Sequence, residues 1–323
     1  MSHVRLDLKE PLAPIANREI PRRALASEIT PASAHFVRCH FVPPPLPDRL
    51  QRGGALAQPA QLQPAELRAR AERSLAVTLE CAGNGRSQMS PLPPGEPWRD
   101  GAVSTAVWTG VPLVELLMEA GLRDDVVEIL FAGADGFQRS LPLEAALDPA
   151  VLVATEMNGE PIPPLHGAPA RLVVPGWYGM ASVKWLRAIV ALARPFRGQF
   201  QSANYVYDDG PVTTLKPRAL IVEPHGVVSR GRVNAWGWAW SSAEIASVEV
   251  SVDAGRWRPA ALQGGPGAHA WVRWQLELEL AAGRHSLRAR ARDRLGRVQP
   301  ETPPWNRLGY GNNATSAVLV SSV

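Results

Sequence analysis

Polar and apolar residues alternate with a period of two through the last third of the chain. Val248, Val250 and Val252 face one way and Glu249 and Ser251 the other. Trp274 to Leu280 alternates Leu with Glu, and Ser286 to Arg292 alternates small or apolar residues with Arg288, Arg290 and Arg292. A period of two marks half-buried strands, and the turn-prone stretches DAG, QGGPG and AAG lie between them. Short strands at this spacing predict a β-sandwich of about 100 residues. Seven of the eleven tryptophans lie between Trp236 and Trp305 and are expected to pack it.

The pattern before residue 216 is mixed. Val111 to Leu122 places Leu113, Leu116, Leu117 and Ala120 at helical spacing, with Pro112 near the first turn and Gly121 as the stop. A second, shorter helix is expected from Pro64 to Arg73. Ser74 to Cys81 is a β-rich run closed by CAGNGRS, so Cys81 should sit where a strand gives way to a loop. The stretches VVEILFAG, ARLVVPG and VKWLRAIVAL read as strands interrupted by Gly and Pro. The expected architecture is therefore α+β: a mixed domain over residues 1–215 and a β-sandwich over 216–323.

Composition narrows the class. With 323 residues, 46% hydrophobic and 20% charged, the chain is globular and long enough for two domains. Its 31 Pro and 27 Gly imply many turns and count against a long helical bundle. Two cysteines, Cys39 and Cys81, cannot build a disulfide framework, and no CxxC or CxxCH spacing exists for a zinc ribbon or an attached haem. The net charge is +4, and the segment from Lys216 onward, with fourteen basic and eight acidic residues, holds the excess. No clustered basic run accompanies it, which counts against nucleic acid. The N-terminus has paired arginines, Arg22 and Arg23, but no apolar run follows them, and nowhere do about 18 apolar residues stand together. The chain as written is expected to be cytoplasmic and without a membrane span, and periplasmic only if a leader was removed.

Cys81 leaves its strand into a loop containing Gly83 and Gly85, where a sulfur can be exposed and backbone N–H groups can converge on it. A thiolate there suits metal ligation or nucleophilic attack; a small buried hydrophobe is the bland alternative. Papain-like catalysis with His166 as base is a third reading, but no protease signature surrounds the cysteine. His166, Arg171 and Lys184 lie beside turns, where Arg offers a planar fork and Lys a point charge to phosphate or heterocycle atoms. A loop with a capping His and surface charges is the better account of any one of them taken alone.

Five ordered segments carry a resemblance. LECAGNGRSQM (Leu79 to Met89) resembles the cysteine loop of the sulfite oxidase family of molybdopterin enzymes, and HFVRCHFVP (His35 to Pro43) resembles that family's Arg-Asn-His segment. GAVSTAVWTGVPLVELL, EMNGEPIPPLHGAPARLVVPGWYGMASVKW and WNRLGYGNN match in order, so the resemblance runs from about Phe36 to the C-terminus. It implies a molybdenum–molybdopterin cofactor with Cys81 as the thiolate ligand. It implies Arg38, Arg86 and Tyr205 as catalytic residues, with Tyr207 close enough to leave the tyrosine register open. Phe36, Arg38, Cys39, His40, Asp135, His166, Arg171, Ser182, Val183 and Lys184 match positions that hold the cofactor. Two departures stand out: Cys39 takes the place of a common Asn, and Gly85 that of a frequent arginine.

The activity implied is oxidation of sulfite to sulfate by oxygen-atom transfer, the substrate being sulfite or a similar small oxyanion. The two electrons then leave one at a time for an external acceptor such as a cytochrome, since no haem motif or haem-domain length is available in the chain. The alternatives are a related nitrate or sulfoxide reductase, or a pterin-binding member without turnover. The alternating region would be the family's immunoglobulin-like dimerisation domain, which makes a homodimer the expected assembly.

Overall fold

The computed structural model describes residues 16–323. Residues 1–15, which carry most of the N-terminal stretch weighed above for export, lie outside the described residues. Arg22 and Arg23 fall in a short 3-10 turn, Arg22–Ala26.

Two five-stranded sheets make the first part. One contains β1 (Leu50–Gly54), β2 (Ala60–Leu62), β5 (Glu128–Gly133), β6 (Gln138–Pro142) and β9 (Leu186–Leu192) in the order β2-β1-β9-β5-β6, with β9 parallel to β1 and the other pairs antiparallel. The other is antiparallel and contains β3 (Arg73–Glu80), β4 (Val103–Pro112), β7 (Leu152–Met157) and β8 (Arg171–Val173), with Glu160–Pro161 at its edge. Helix α1 spans Pro64–Ala69 and α2 spans Leu113–Ala120. In α2, Leu113, Leu116, Leu117 and Ala120 are fully buried, as their spacing requires, and Gly121 ends the helix at φ +68. The expected helix from Pro64 to Arg73 is shorter than its sequence pattern, because Arg73 already belongs to β3 and pairs with Gly110. Among the described residues no helix is long and apolar enough to cross a membrane.

Eight strands make the second part: β10 (Arg218–Glu223), β11 (Gly226–Val228), β12 (Gly231–Trp240), β13 (Ile245–Val252), β14 (Arg258–Gly264), β15 (Val272–Leu280), β16 (Gly283–Asp293) and β17 (Val318–Ser322). Their order is β10-β12-β15-β14-β13-β16-β17-β11, and β14 joins the two halves by pairing with both β13 and β15. Val248, Val250, Leu278, Leu280, Leu287, Ala289 and Ala291 are buried between the layers, as alternation requires. On β16, Arg290 pairs with Glu249 at 2.8 Å and Arg288 approaches Glu301 at 3.9 Å, so the arginine face is ion-paired surface.

The tryptophans depart from expectation. Of the seven, Trp274 fills the core between the layers, whereas Trp238, Trp240 and Trp271 belong to the core of the first part. The cause is the same period of two: Ala235 and Ala239 of β12 look into the sandwich, so Trp236, Trp238 and Trp240 look out of it. That outer face is buried against the first part. Trp238 Nε1 donates to Leu25 O at 2.7 Å and Trp271 Nε1 to Glu28 O at 2.8 Å, while the two rings stack at 4.9 Å.

Candidate active site

Cys81 follows β3 directly, and its N–H donates to Ala102 O at 2.8 Å beside the start of β4. Cys81 is 7% exposed and lines a cavity with about 80 Å³ of room for the centres of water-sized spheres. Phe36, Arg38 and His40 reach the cavity from the stretch in which Val37–Arg38 pairs with Asn17–Arg18. Asp135 enters from the turn between β5 and β6, and His166, Arg171, Ser182, Val183 and Lys184 from β8 and the segments that bracket it. Tyr205 enters from the loop after Gln199–Ser202. Eleven of the residues singled out by resemblance thus share one cavity wall, Cys81 among them.

Two do not reach it. Cys39 is buried behind the wall, where its sulfur accepts a hydrogen bond from Lys184 Nζ at 3.0 Å. Arg86, expected to meet an oxyanion, is 4% exposed and turned away; its guanidinium donates to Glu96 O at 2.8 Å and Leu308 O at 3.2 Å. The slot it occupies is built by glycines. A Cβ on Gly83 would stand 2.5 Å from Arg86 Nη1, and one on Gly309 2.7 Å from its Nε, so only glycine leaves room. Tyr207 lies outside the cavity too, under the Lys216 ammonium at 4.9 Å, which leaves Tyr205 as the tyrosine in the cavity wall.

Arg171 and Lys184 are desolvated, and no cation of the wall is ion-paired to an acid. Arg171, 5% exposed, donates to His166 O at 2.8 Å, Ser182 O at 2.9 Å and Leu172 O at 3.3 Å, and burial lowers its pKa to about 9. Lys184 donates to Cys39 Sγ and to Leu165 O, and burial pulls its pKa down as well. Arg38 donates to Asn17 Oδ1 and His40 Nδ1, each at 3.2 Å. None of the three lies within ion-pair distance of a carboxylate among the described residues. The two histidines are neutral at any ordinary pH: burial and then Arg38 lower His40 to about 3, and burial and then Arg171 lower His166 to about 4. With Nδ1 of His40 accepting from Arg38, its Nε2 carries the proton toward the Tyr205 hydroxyl.

One cavity residue escaped the sequence reading. His35 lines the cavity at 2% exposure, with Nδ1 on Phe36 O at 3.0 Å and Nε2 without a partner. A carbonyl accepts only, so Nδ1 holds the proton and Nε2 is a bare acceptor. Its place at the head of HFVRCHFVP was the available signal.

These features can be tested against an anionic, metal-bearing cofactor. Three cations in one wall, Arg171 buried and Arg38 and Lys184 partly so, none ion-paired to an acid, favour a bound anion, and the orphaned acceptor of His35 awaits an N–H donor. Cys81 is a soft donor whose thiol is pushed up by burial, so a cation would be needed to hold it as thiolate. Among the described residues no group of three or more His, Cys, Asp or Glu forms a metal site. A metal arriving with most of its ligands supplied by an organic cofactor therefore fits, and the residues present fit the group.

Comparison with known proteins agrees. The oxidoreductase molybdopterin binding domain matches residues 44–200, and the Mo-co oxidoreductase dimerisation domain matches 212–322. The mitochondrial sulfite oxidase of Mus musculus is 35% identical over 350 residues, covering 95% of this chain but 64% of that protein. The sulfite oxidase of Gallus gallus is 35% identical over 92% of this chain and 74% of its own length. The crystal structure of the sulfane dehydrogenase SoxCD from Paracoccus pantotrophus superposes with a TM-score of 0.84 at 28% identity, covering 99% of this chain and 87% of that one.

Proposed function

Because this chain belongs to the sulfite oxidase family of molybdopterin oxidoreductases, we propose that it oxidises sulfite, or a related sulfur oxyanion, with a molybdenum–pterin cofactor held in the Cys81 cavity. When bound, that cofactor supplies two-electron oxygen-atom transfer. Cys81 would ligate the metal, and the cofactor-binding wall would consist of Phe36, His40, Asp135, His166, Arg171, Ser182, Val183 and Lys184, with Cys39 acting through Lys184. The observation that carries this reading is the joining of one soft thiol to three cations in one cavity, none of them ion-paired to a carboxylate. Arg38 would bring positive charge to an oxyanion as a planar donor. Tyr205, its hydroxyl against the protonated Nε2 of His40, would donate its own proton into the cavity and orient the same oxyanion.

Electrons would pass to an external one-electron acceptor, a cytochrome being the class proposed, and the region from residue 212 onward supports a homodimer through its match to the dimerisation model. A second reading, oxidation of a sulfane sulfur, is favoured by the match of 99% of this chain to the SoxCD structure and by the turning away of Arg86, which leaves fewer charges for a small dianion. The test is ferricyanide reduction by metal-replete protein with sulfite and, separately, with thiosulfate. Turnover on sulfite and its loss in Cys81→Ser are expected; turnover on thiosulfate alone would replace the first reading by the second, and turnover on neither would overturn both.

A further inference from the structure

The segment WNRLGYGNN is part of the sandwich region in sequence, yet it is spent on the Cys81 loop. Gly311 N donates to Ala82 O at 2.7 Å, Asn312 Nδ2 to Gly85 O at 2.7 Å, and Leu308 O accepts from Arg86. At its centre Tyr310 is gripped on both sides of its backbone by one side chain. Asn306 Oδ1 accepts from Tyr310 N at 3.0 Å, and Asn306 Nδ2 donates to Tyr310 O at 2.8 Å.

Tyr310 is 8% exposed, and its ring stacks on Tyr205 with centroids 4.9 Å apart and planes 23° from parallel. The guanidinium of Arg86 lies 5.2 Å from the centre of the same ring. Tyr205 itself is held at φ +55, a left-handed conformation that a side chain disfavours and that persists only when neighbours enforce it. Its backbone is bound by Val212 N on Tyr205 O at 2.7 Å, and Arg139 anchors the loop through Phe200 O and Val212 O. What fixes the ring, and hence where the hydroxyl points, is the stack on Tyr310 together with the aromatic contacts to Phe137, Phe200 and His40.

We infer that Tyr310 is a positioning residue of the active site: stacked on Tyr205 and packed under Arg86, it holds the Tyr205 hydroxyl at the cavity in its strained backbone setting. Arg86 then acts through this ring, and the sandwich region becomes a working part of the site. For its kinetic consequence the inference rests on the sulfur-oxyanion reading above; for its structural one it does not.

Both consequences can be measured on the full chain. In cofactor-free protein, nitration of Tyr205 by tetranitromethane, read by peptide mass spectrometry, should be slow in wild type and in Tyr310→Phe, which keeps the stack, and at least several-fold faster in Tyr310→Ala. In metal-replete protein, kcat/KM per molybdenum for sulfite should fall by about tenfold or more in Tyr310→Ala, mostly in kcat, with Tyr310→Phe restoring most of it. Should Tyr310→Ala not accumulate folded, Tyr310→Leu, which keeps bulk without a ring face, takes its place. Equal protection of Tyr205 in all variants, or a kcat/KM within twofold of wild type in the ringless one, would overturn the inference. If wild type itself does not oxidise sulfite, the substrate reading fails and nitration alone decides the role of Tyr310.

Discussion

Two charged groups lie around the Cys81 loop, one centred on buried Arg218 and one on the cations of the cavity wall, and they are completed in opposite ways. Arg218, 2% exposed, pairs with Glu80 at 3.4 Å and with Asp100, and also donates to Asn312 O at 2.6 Å. Glu80 in turn accepts from Asn84 Nδ2 and Trp240 Nε1, each at 2.9 Å. Burial alone would lower the pKa of Arg218, but Asp100 and Glu80 raise it past its ordinary value, so this cation already has its acid partners and needs no further anion. Arg38, Arg171 and Lys184 have carbonyls, an amide, a histidine and a thiol for partners, and a cavity in front of them. The first group is internally closed and holds the sandwich region to the loop. The second leaves its charge for a ligand; Arg171 is buried about as deeply as Arg218, and the identity of the partners is what distinguishes them.

The sharpest way to break this comparison is to remove one cation from each group. Arg218→Met strands the Glu80 carboxylate in the interior and takes an ion-pair partner from half-buried Asp100, and should cost about 3–5 kcal/mol in denaturant unfolding. Arg171→Met leaves three carbonyls short of donors, at about 1–3 kcal/mol each, but strands no acid and also relieves the desolvation of an unpaired cation, so cofactor-free protein should lose less than with Arg218→Met. The same variant should lose most of its bound molybdenum. Equal destabilisation by both would erase the distinction.

Acid tests the cavity group next. His40 and His166 have folded pKa values of about 3 and about 4, below the unfolded 6.5, so the unfolded chain binds protons first as pH falls. Their contribution is intact above about pH 6.5 and is lost on going down toward pH 4, by about 1–2 kcal/mol for each at pH 5. The melting temperature of cofactor-free protein should therefore fall between pH 7 and pH 5, and His166→Gln should flatten that fall. The smallest effect belongs to charge that is neither closed in nor waiting. Arg290→Ala, in the surface pair with Glu249, should change stability by about 0.2–1 kcal/mol, and less in high salt.

Much of this was legible in the chain. Alternation gave the sandwich because Val248, Val250 and the Leu-Glu run have one face in water and one in the core. Helix α2 and the strand before Cys81 followed from spacing and from glycine at their ends. The tryptophans did not, because a residue rich in apolar surface signals burial without saying on which side of β12; the second layer is supplied by Leu25, Glu28 and Glu80 from far away in sequence. Arg86 was misplaced for a related reason. Its motif position shows a cation beside the cysteine loop, whereas the slot that captures it is assembled from Gly83, Gly95 and Gly309 only in the folded chain. Gly85 is similar: at φ +78, with a would-be Cβ 3.0 Å from Arg218, it reports the closed cation group and says little about the cavity.

The central claim is that the open group of cations and Cys81 hold a molybdenum–pterin cofactor. Elemental analysis of full-length protein made in a host that synthesises that cofactor tests it most directly. About one molybdenum per chain is expected in wild type, with little left in Cys81→Ser. Folded wild-type protein with no more than a trace of molybdenum would contradict the account.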